Sequence, residues 1–290
     1  MSWCNFHTHT KFCDGSEQPE KYVEEAINKK MFVLGFSGHA PLDWGSGWCI
    51  KDDELQEYCN IVKSLKKKYK EKINIYLGLE IDFIPGLSRD FNVIRKKCEL
   101  DYCVGSVHLV KRKGFNELWF IDGPDKNYID GMKNIFDNDI ILAVEHYYQQ
   151  IIEMVISQKP DVIGHIDKIK MNNKGRYFTG DEKWYKNLVL QTLDVIAESG
   201  KIMEINTRGI YKGKTNSLFP ENWIIGECLK RKIPVTISSD THKPQELTNY
   251  FKETAVILKQ IGYKEIYFFN DKSWISRAFD ENGVKLKTEN

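Results

Sequence analysis

Six of the seven histidines stand at the C-terminal ends of short β-like segments, and their placement is the main chemical signal in the chain. His7 and His9 close the first segment, His39 the second, His108 the fourth, His165 the fifth and His242 the seventh. The third ends with Glu80, Asp14 follows the first, and Asp240 precedes His242 by two residues. Only His146 lies inside a helical pattern. In His7-Thr8-His9 and Asp240-Thr241-His242, side chains two apart in an extended segment point the same way, so each pair can reach one cation. Either pair alone is a weak signal, and a lone His39 or His108 would ordinarily be a structural histidine bonded to a carbonyl. The joint placement carries the reading. His7, His9, Asp14, His39, Glu80, His108, His165, Asp240 and His242 offer nine nitrogen or oxygen ligands. A catalytic zinc site takes about three protein ligands, so the count fits three divalent ions with Glu80 shared. Such a set suits Zn²⁺, Mn²⁺ or Fe²⁺ alike.

The segments that must position these groups are 3–7, 33–38, 73–79, 102–107, 162–164, 202–206 and 235–239. Each is short and rich in β-branched or aromatic residues. Amphipathic helical patterns separate them. Leu55, Tyr58, Cys59, Val62 and Leu65 recur at helical spacing, Pro19 opens the first helix, and Tyr185, Leu188, Val189, Leu193 and Ile196 share a later helix face. Lys66–Lys68 read as a solvated helix face. Residues 111–125 interrupt the alternation as a long connection. Strands that alternate with helices are parallel, and a barrel built from them gathers the strand C-termini on one face, where such folds place their active sites.

The composition excludes several function classes. With 42 Lys+Arg against 41 Asp+Glu, the net charge is +1, so no basic excess points to nucleic acid or an anionic membrane. The longest aliphatic or aromatic run, from Ile140 to Val144, is far short of the roughly 20 residues of a membrane span. The first residues lack a signal-peptide pattern. Seven scattered cysteines without Cys-x-x-Cys read as reduced thiols of a cytoplasmic protein, with Cys13 near the active site. The expected organisation is one domain over residues 1–270 and a peripheral tail over 271–290.

His7-Thr8-His9, Asp14-Gly15, Pro19-Glu20, Gly38-His39, Gly78-Leu79-Glu80, Gly105-Ser106-Val107-His108, Gly164-His165-Ile166-Asp167 and Ser238-Ser239-Asp240-Thr241-His242 together resemble the polymerase-and-histidinol-phosphatase (PHP) superfamily, and within it the monofunctional histidinol-phosphate phosphatases. The resemblance runs from about residue 3 to about 270. It implies a distorted (β/α)7 barrel of parallel strands with outer helices and a trinuclear metal centre. It also implies that His7, His9, Glu80 and Asp240 hold one ion, that Glu80, His108 and His165 hold a second, and that Asp14, His39 and His242 hold a third.

Clustered divalent ions lower the pKa of a bridging water and neutralise phosphoryl charge, so the expected reaction is hydrolysis of a small phosphate monoester by a metal-bridging hydroxide. Arg208, at the end of the sixth segment, is the first candidate for the phosphate, with Arg176 and Lys168 behind it. Three sources remain open for the leaving-group proton: a water on the metal, Asp240, and Asp167. Trp119 and Asp122 are candidates for the far end of the substrate. The resemblance implies L-histidinol phosphate, an intermediate of histidine biosynthesis, as the substrate. A nucleotide, another small ester, a phosphotyrosyl peptide and a non-catalytic metal-binding scaffold are the alternatives. No membrane or nucleic-acid partner is expected.

Overall fold

Every one of the seven expected segments forms a strand, because each is a short run of apolar residues bounded by turns and covered by a helix. The computed structural model describes residues 3–286. Its strands are β1 (Cys4–Asn5), β2 (Val33–Phe36), β3 (Asn74–Asp82), β4 (Tyr102–Ser106), β5 (Leu109–Lys111), β6 (Leu118–Phe120), β7 (Val162–Ile163), β8 (Ile202–Asn206), β9 (Val235–Ser238), β10 (Glu265–Asn270), β11 (Ser273–Asp280) and β12 (Gly283–Val284). Seven pair in parallel in the order β1-β2-β3-β4-β7-β8-β9. The first and last strands then meet: the His9 N–H donates to the Thr241 carbonyl at 2.9 Å, and the Thr241 N–H to the His7 carbonyl at 3.1 Å. The result is a nearly closed seven-stranded barrel with surrounding helices.

The helices lie against it by the stripes legible in the sequence. Leu55–Lys68 buries Leu55, Tyr58, Cys59, Val62 and Leu65, and Lys183–Ser199 buries Tyr185, Val189, Leu193 and Ile196. Lys66 pairs with Asp101 and Lys68 with Glu20, which leaves the lysine run as a charge-balanced surface. His146 sits in the helix Ile140–Ser157, where its Nδ1 meets the Leu142 carbonyl at 2.9 Å.

Tyr102 crosses the barrel interior, donating from its hydroxyl to the carbonyls of Phe6 (2.8 Å) and Phe36 (3.0 Å). Its ring needs the space left by Gly78 on the neighbouring strand, where a Cβ would come within 2.6 Å of two ring carbons. Gly78→Ala is therefore expected to destabilise the fold by about 1–3 kcal/mol through overpacking, read as a lower Tm in thermal unfolding.

Two expectations change. The 111–125 stretch is no plain connection: it completes a β5–β6 hairpin over 109–120, whose three-residue strands are too short to show a period, and leads into the helix Asp125–Asn134. The stretch from 271 is no peripheral tail over its described part. β10, β11 and β12 form an antiparallel sheet, with Trp274 4.9 Å from Phe6 and Phe269 4.9 Å from Tyr76, ring to ring. Residues 287–290 lie outside the described residues.

Candidate metal centre

The strand ends bring all nine expected ligands into one pocket. Glu80, two residues before the end of β3, is its hub. One carboxylate oxygen, Oε2, lies 3.1 Å from His7 Nε2, 3.1 Å from His39 Nδ1 and 3.5 Å from His9 Nε2. The other, Oε1, lies 3.1 Å from His165 Nε2 and 3.6 Å from His108 Nε2, and accepts from the Ser106 hydroxyl at 2.6 Å. Asp240 Oδ1 faces His9 Nε2 at 3.3 Å and His7 Nε2 at 3.8 Å, while Asp14 Oδ2 meets His242 Nε2 at 3.0 Å. Asp240 has a left-handed backbone (φ 48°), a conformation aspartate tolerates better than most residues, which turns the chain sharply just beyond β9.

Four overlapping groups could each hold an ion: His9, Asp14, His39 and His242; His7, His9 and Asp240; His7, Glu80 and His165; His39, Glu80 and His108. Two further observations fit a divalent cation. His7 Nε2 and His9 Nε2 are buried without a hydrogen-bond partner although carboxylate oxygens crowd them. In addition, the far-side ring nitrogens of His7 and His242 are engaged. His7 Nδ1 lies 2.5 Å from Glu204 Oε1, which fixes the ring and leaves Nε2 to ligate, the arrangement by which outer carboxylates orient metal-bound histidines. His242 Nδ1 lies 3.1 Å from the Asp240 carbonyl.

Burial opposes ionisation throughout, and the neighbours decide the outcome. At Glu80, His7, His39 and His108 outweigh burial and hold the carboxyl well below its usual range; at Asp240, His7, Lys168 and Arg208 do the same. Burial and His242 push His9 down to about 4, keeping its lone pair free. His7 moves the other way: Glu204, Glu80 and Asp240 overcome burial. At His108, Asp122 and Asp82 overcome burial and Lys168, and the group rises to about 9.

Over the ligands lies a cavity of about 270 Å³, walled by Lys168, Arg208, Lys214, Asp122, Trp48 and Phe120 among others. Lys168 Nζ is 2.9 Å from Asp122 Oδ2 and 3.9 Å from Asp240 Oδ2. Arg208 donates to the Asp240 carbonyl at 2.7 Å. Cys13 lies 3.6 Å from His9 Nδ1, adjoining the site as expected, and all seven cysteines are free thiols.

Three sequence-derived candidates fall elsewhere. The chain leaves extended geometry after β7 and turns over residues 166–169, so Asp167 does not share the His165 face. Its Oδ2 accepts from the Glu221 N–H at 2.9 Å, and it lines an adjoining cavity. Lys168, three residues on from His165, comes back to the histidines by turn spacing instead. Arg176 is held in a two-pronged ion pair with Asp125 (2.6 and 2.9 Å), outside the pocket. Trp119 is fully buried, its indole donating to the Tyr128 carbonyl.

Other participants were missed. Glu204 supports His7 and accepts from the His165 N–H at 2.9 Å; Asp82 accepts from the His108 N–H at 2.9 Å. A carboxylate inside the apolar run Ile202–Asn206, and a second one two residues after Glu80, were the available signals.

The comparisons with known proteins agree with this geometry. Histidinol-phosphatase of Bacillus subtilis is 27% identical over 253 residues, covering 82% of this chain and 92% of its own. A Listeria monocytogenes crystal structure superposes with a TM-score of 0.74 at 20% identity, over 86% of this chain and 99% of that one. The histidinol phosphate phosphatase of Lactococcus lactis, solved with zinc, L-histidinol and phosphate, superposes with a TM-score of 0.65 at 20% identity, over 99% and 100% of the two chains. The model of the PHP domain matches residues 5–208, most of the barrel and seven of the nine ligands, and the chain belongs to the PHP domain family.

Proposed function

We propose that this chain is a metal-dependent phosphomonoesterase that hydrolyses L-histidinol phosphate to L-histidinol and phosphate, a step of histidine biosynthesis. One observation carries the reading: nine nitrogen and oxygen ligands converge beneath a pocket of phosphate-ester size that also holds Lys168 and Arg208. Relatives named histidinol-phosphatase that align over most of both chains support the choice of ester. We assign three divalent ions. His7, His9, Glu80 and Asp240 hold one; Glu80, His108 and His165 a second; Asp14, His39 and His242 a third, with His9 and His39 close enough to neighbouring groups to couple the sites. Bound divalent cations supply a water activated near neutral pH and charge neutralisation at the phosphoryl group.

The side chains do the rest. Arg208 presents a planar fork suited to phosphate oxygens. Lys168 is held protonated, because Asp122, Asp240 and Glu80 outweigh its burial, so it acts as a fixed positive charge and not as a proton donor. Asp240, held ionised, can take a proton from the attacking water. Glu204 and Asp82 keep His7 and His108 in register. A cytoplasmic setting fits the seven free thiols.

The test is elemental analysis of the purified protein, paired with phosphate release from L-histidinol phosphate, nucleotides, phosphotyrosine and p-nitrophenyl phosphate, with and without chelator. Histidinol phosphate should be the best substrate, and chelator should silence all of them; preference for another ester would overturn the assignment. Arg208→Ala should raise KM about tenfold, the loss of one charge-assisted contact pair. Steady-state constants equal to those of the wild type would take Arg208 out of phosphate binding.

A further inference from the structure

The cavity over the ligands has a neighbour. Lys214, Met171 and Phe219 line it and also line a second cavity of about 550 Å³, which Asp167, Asn216, Ser217 and Glu221 help to wall. Its volume is that of a small-molecule site. Among the described residues, the other lysines and arginines of the two cavities are engaged: Lys168 by Asp122 at 2.9 Å, Arg208 by the Asp240 carbonyl at 2.7 Å, Lys174 by Asp125 at 3.0 Å, and Lys170 by Glu221. Lys214 is exposed and has no such partner. The charges that bear on it most are the cations Lys168 and Arg208. An ammonium so placed attracts an incoming anion.

Local hydrogen bonds explain how Lys214 arrives. Gly213, at φ 64°, turns the chain back after the short helix Arg208–Tyr211. The N–H groups of Lys214 and Thr215 then donate to the Gly209 carbonyl at 2.9 and 3.1 Å, and the Thr215 hydroxyl donates to the Ser217 carbonyl at 2.8 Å. The Lys214 backbone is thereby tied to the turn that carries Arg208. Phosphate is already faced by the assigned ions, Arg208 and Lys168, and has no need of a further cation. Beyond Lys214 lie the Asn216 amide and the Ser217 hydroxyl, which make no side-chain hydrogen bond of their own among the described residues. Asp167 and Glu221 stand in the same cavity, so a singly charged carboxylate suits it better than a second phosphate.

We propose that Lys214 and the adjoining cavity form a carboxylate subsite, through which the enzyme also hydrolyses phosphate monoesters whose alcohol bears a carboxylate. This rests on the phosphatase reading above. The chemistry at phosphorus is unchanged. The oxygen of water joins phosphorus, the bond from phosphorus to the ester oxygen breaks, and that oxygen leaves as the alcohol with a proton that originates in the water. Lys214 holds the carboxylate of the alcohol throughout and takes no part in the bond changes.

The experiment compares O-phospho-L-serine with O-phosphoethanolamine on the metal-loaded enzyme; the two esters differ only by a carboxylate. The wild type should favour phosphoserine about tenfold in kcat/KM, the size of one hydrogen bond to a charged group. Lys214→Met should erase that preference, and Lys214→Arg should keep it. An equal fall for both esters in Lys214→Met would put the lysine on the phosphate and overturn the subsite. Release of phosphate from L-histidinol phosphate with no preference for phosphoserine over phosphoethanolamine would remove the subsite and leave the phosphatase. If no ester is hydrolysed, calorimetric titration with the same two compounds makes the comparison without turnover. Phosphoserine binding about tenfold tighter than phosphoethanolamine, an advantage lost in Lys214→Met, would then keep the subsite and sink the phosphatase reading.

Discussion

Glu80→Ala is expected to release phosphate from histidinol phosphate at least about a thousandfold more slowly than the wild type, and to purify with less metal. The size follows from the position of this carboxylate. Five imidazoles lie within 3.6 Å of its two oxygens, and two of the three assigned ions depend on it. No other side chain belongs to both assigned ligand sets. Glu80→Gln keeps the shape and the Ser106 contact but removes the charge that holds the histidines, so it should lose metal as well. Stopped phosphate-release assays and elemental analysis check both variants; wild-type turnover in either would remove Glu80 from the centre.

Stripping the metal should abolish activity, and the Tm difference between zinc-saturated and stripped protein should widen as pH rises from about 6 to about 8. The sign follows from His7 and His108, both raised above the ordinary histidine value, His108 to about 9. In the stripped protein, the stability these groups give through nearby carboxylates is full below the unfolded pKa and fades as pH climbs through the folded one. Zinc needs both rings neutral, so its binding releases protons and strengthens over the same interval. His9, His39 and His165, lowered by burial, are already neutral there and add little slope. At about a hundredfold excess over Kd, bound metal adds about 3 kcal/mol of stability. A gap that narrows with pH would contradict this account.

Much of this site was legible in the chain because parallel barrels put chemistry at strand ends, and strands announce themselves by residue type. Most of the candidate ligands sit at the ends of those runs or one or two residues past them, where parity still holds, whereas Asp14 and His242 lie farther along their loops. Legibility failed where parity failed. Asp167 is two residues from His165 but beyond the end of β7, in a turn, so the rule for extended segments misplaced it. Trp119 was a plausible substrate contact only while the 111–125 stretch lacked strands; once β6 exists, its alternation sends Trp119 inward and Phe120 outward. Glu204 escaped notice because it lies within a strand, and its role depends on which side chain faces it across the barrel. Trp48 and Phe120 are distant in sequence and share no pattern; only folding makes them neighbours.

The seam where β1 meets β9 passes between residues proposed above as ligands: Thr8 is flanked by His7 and His9, and Thr241 by Asp240 and His242. Zipping up the cylinder and assembling the catalytic apparatus are thus one event. While the chain is being synthesised, its early histidines wait for partners some 230 positions away. A cation lodged between His9 and Asp240 would act as a clasp across that join, so metal uptake would report that the cylinder has closed.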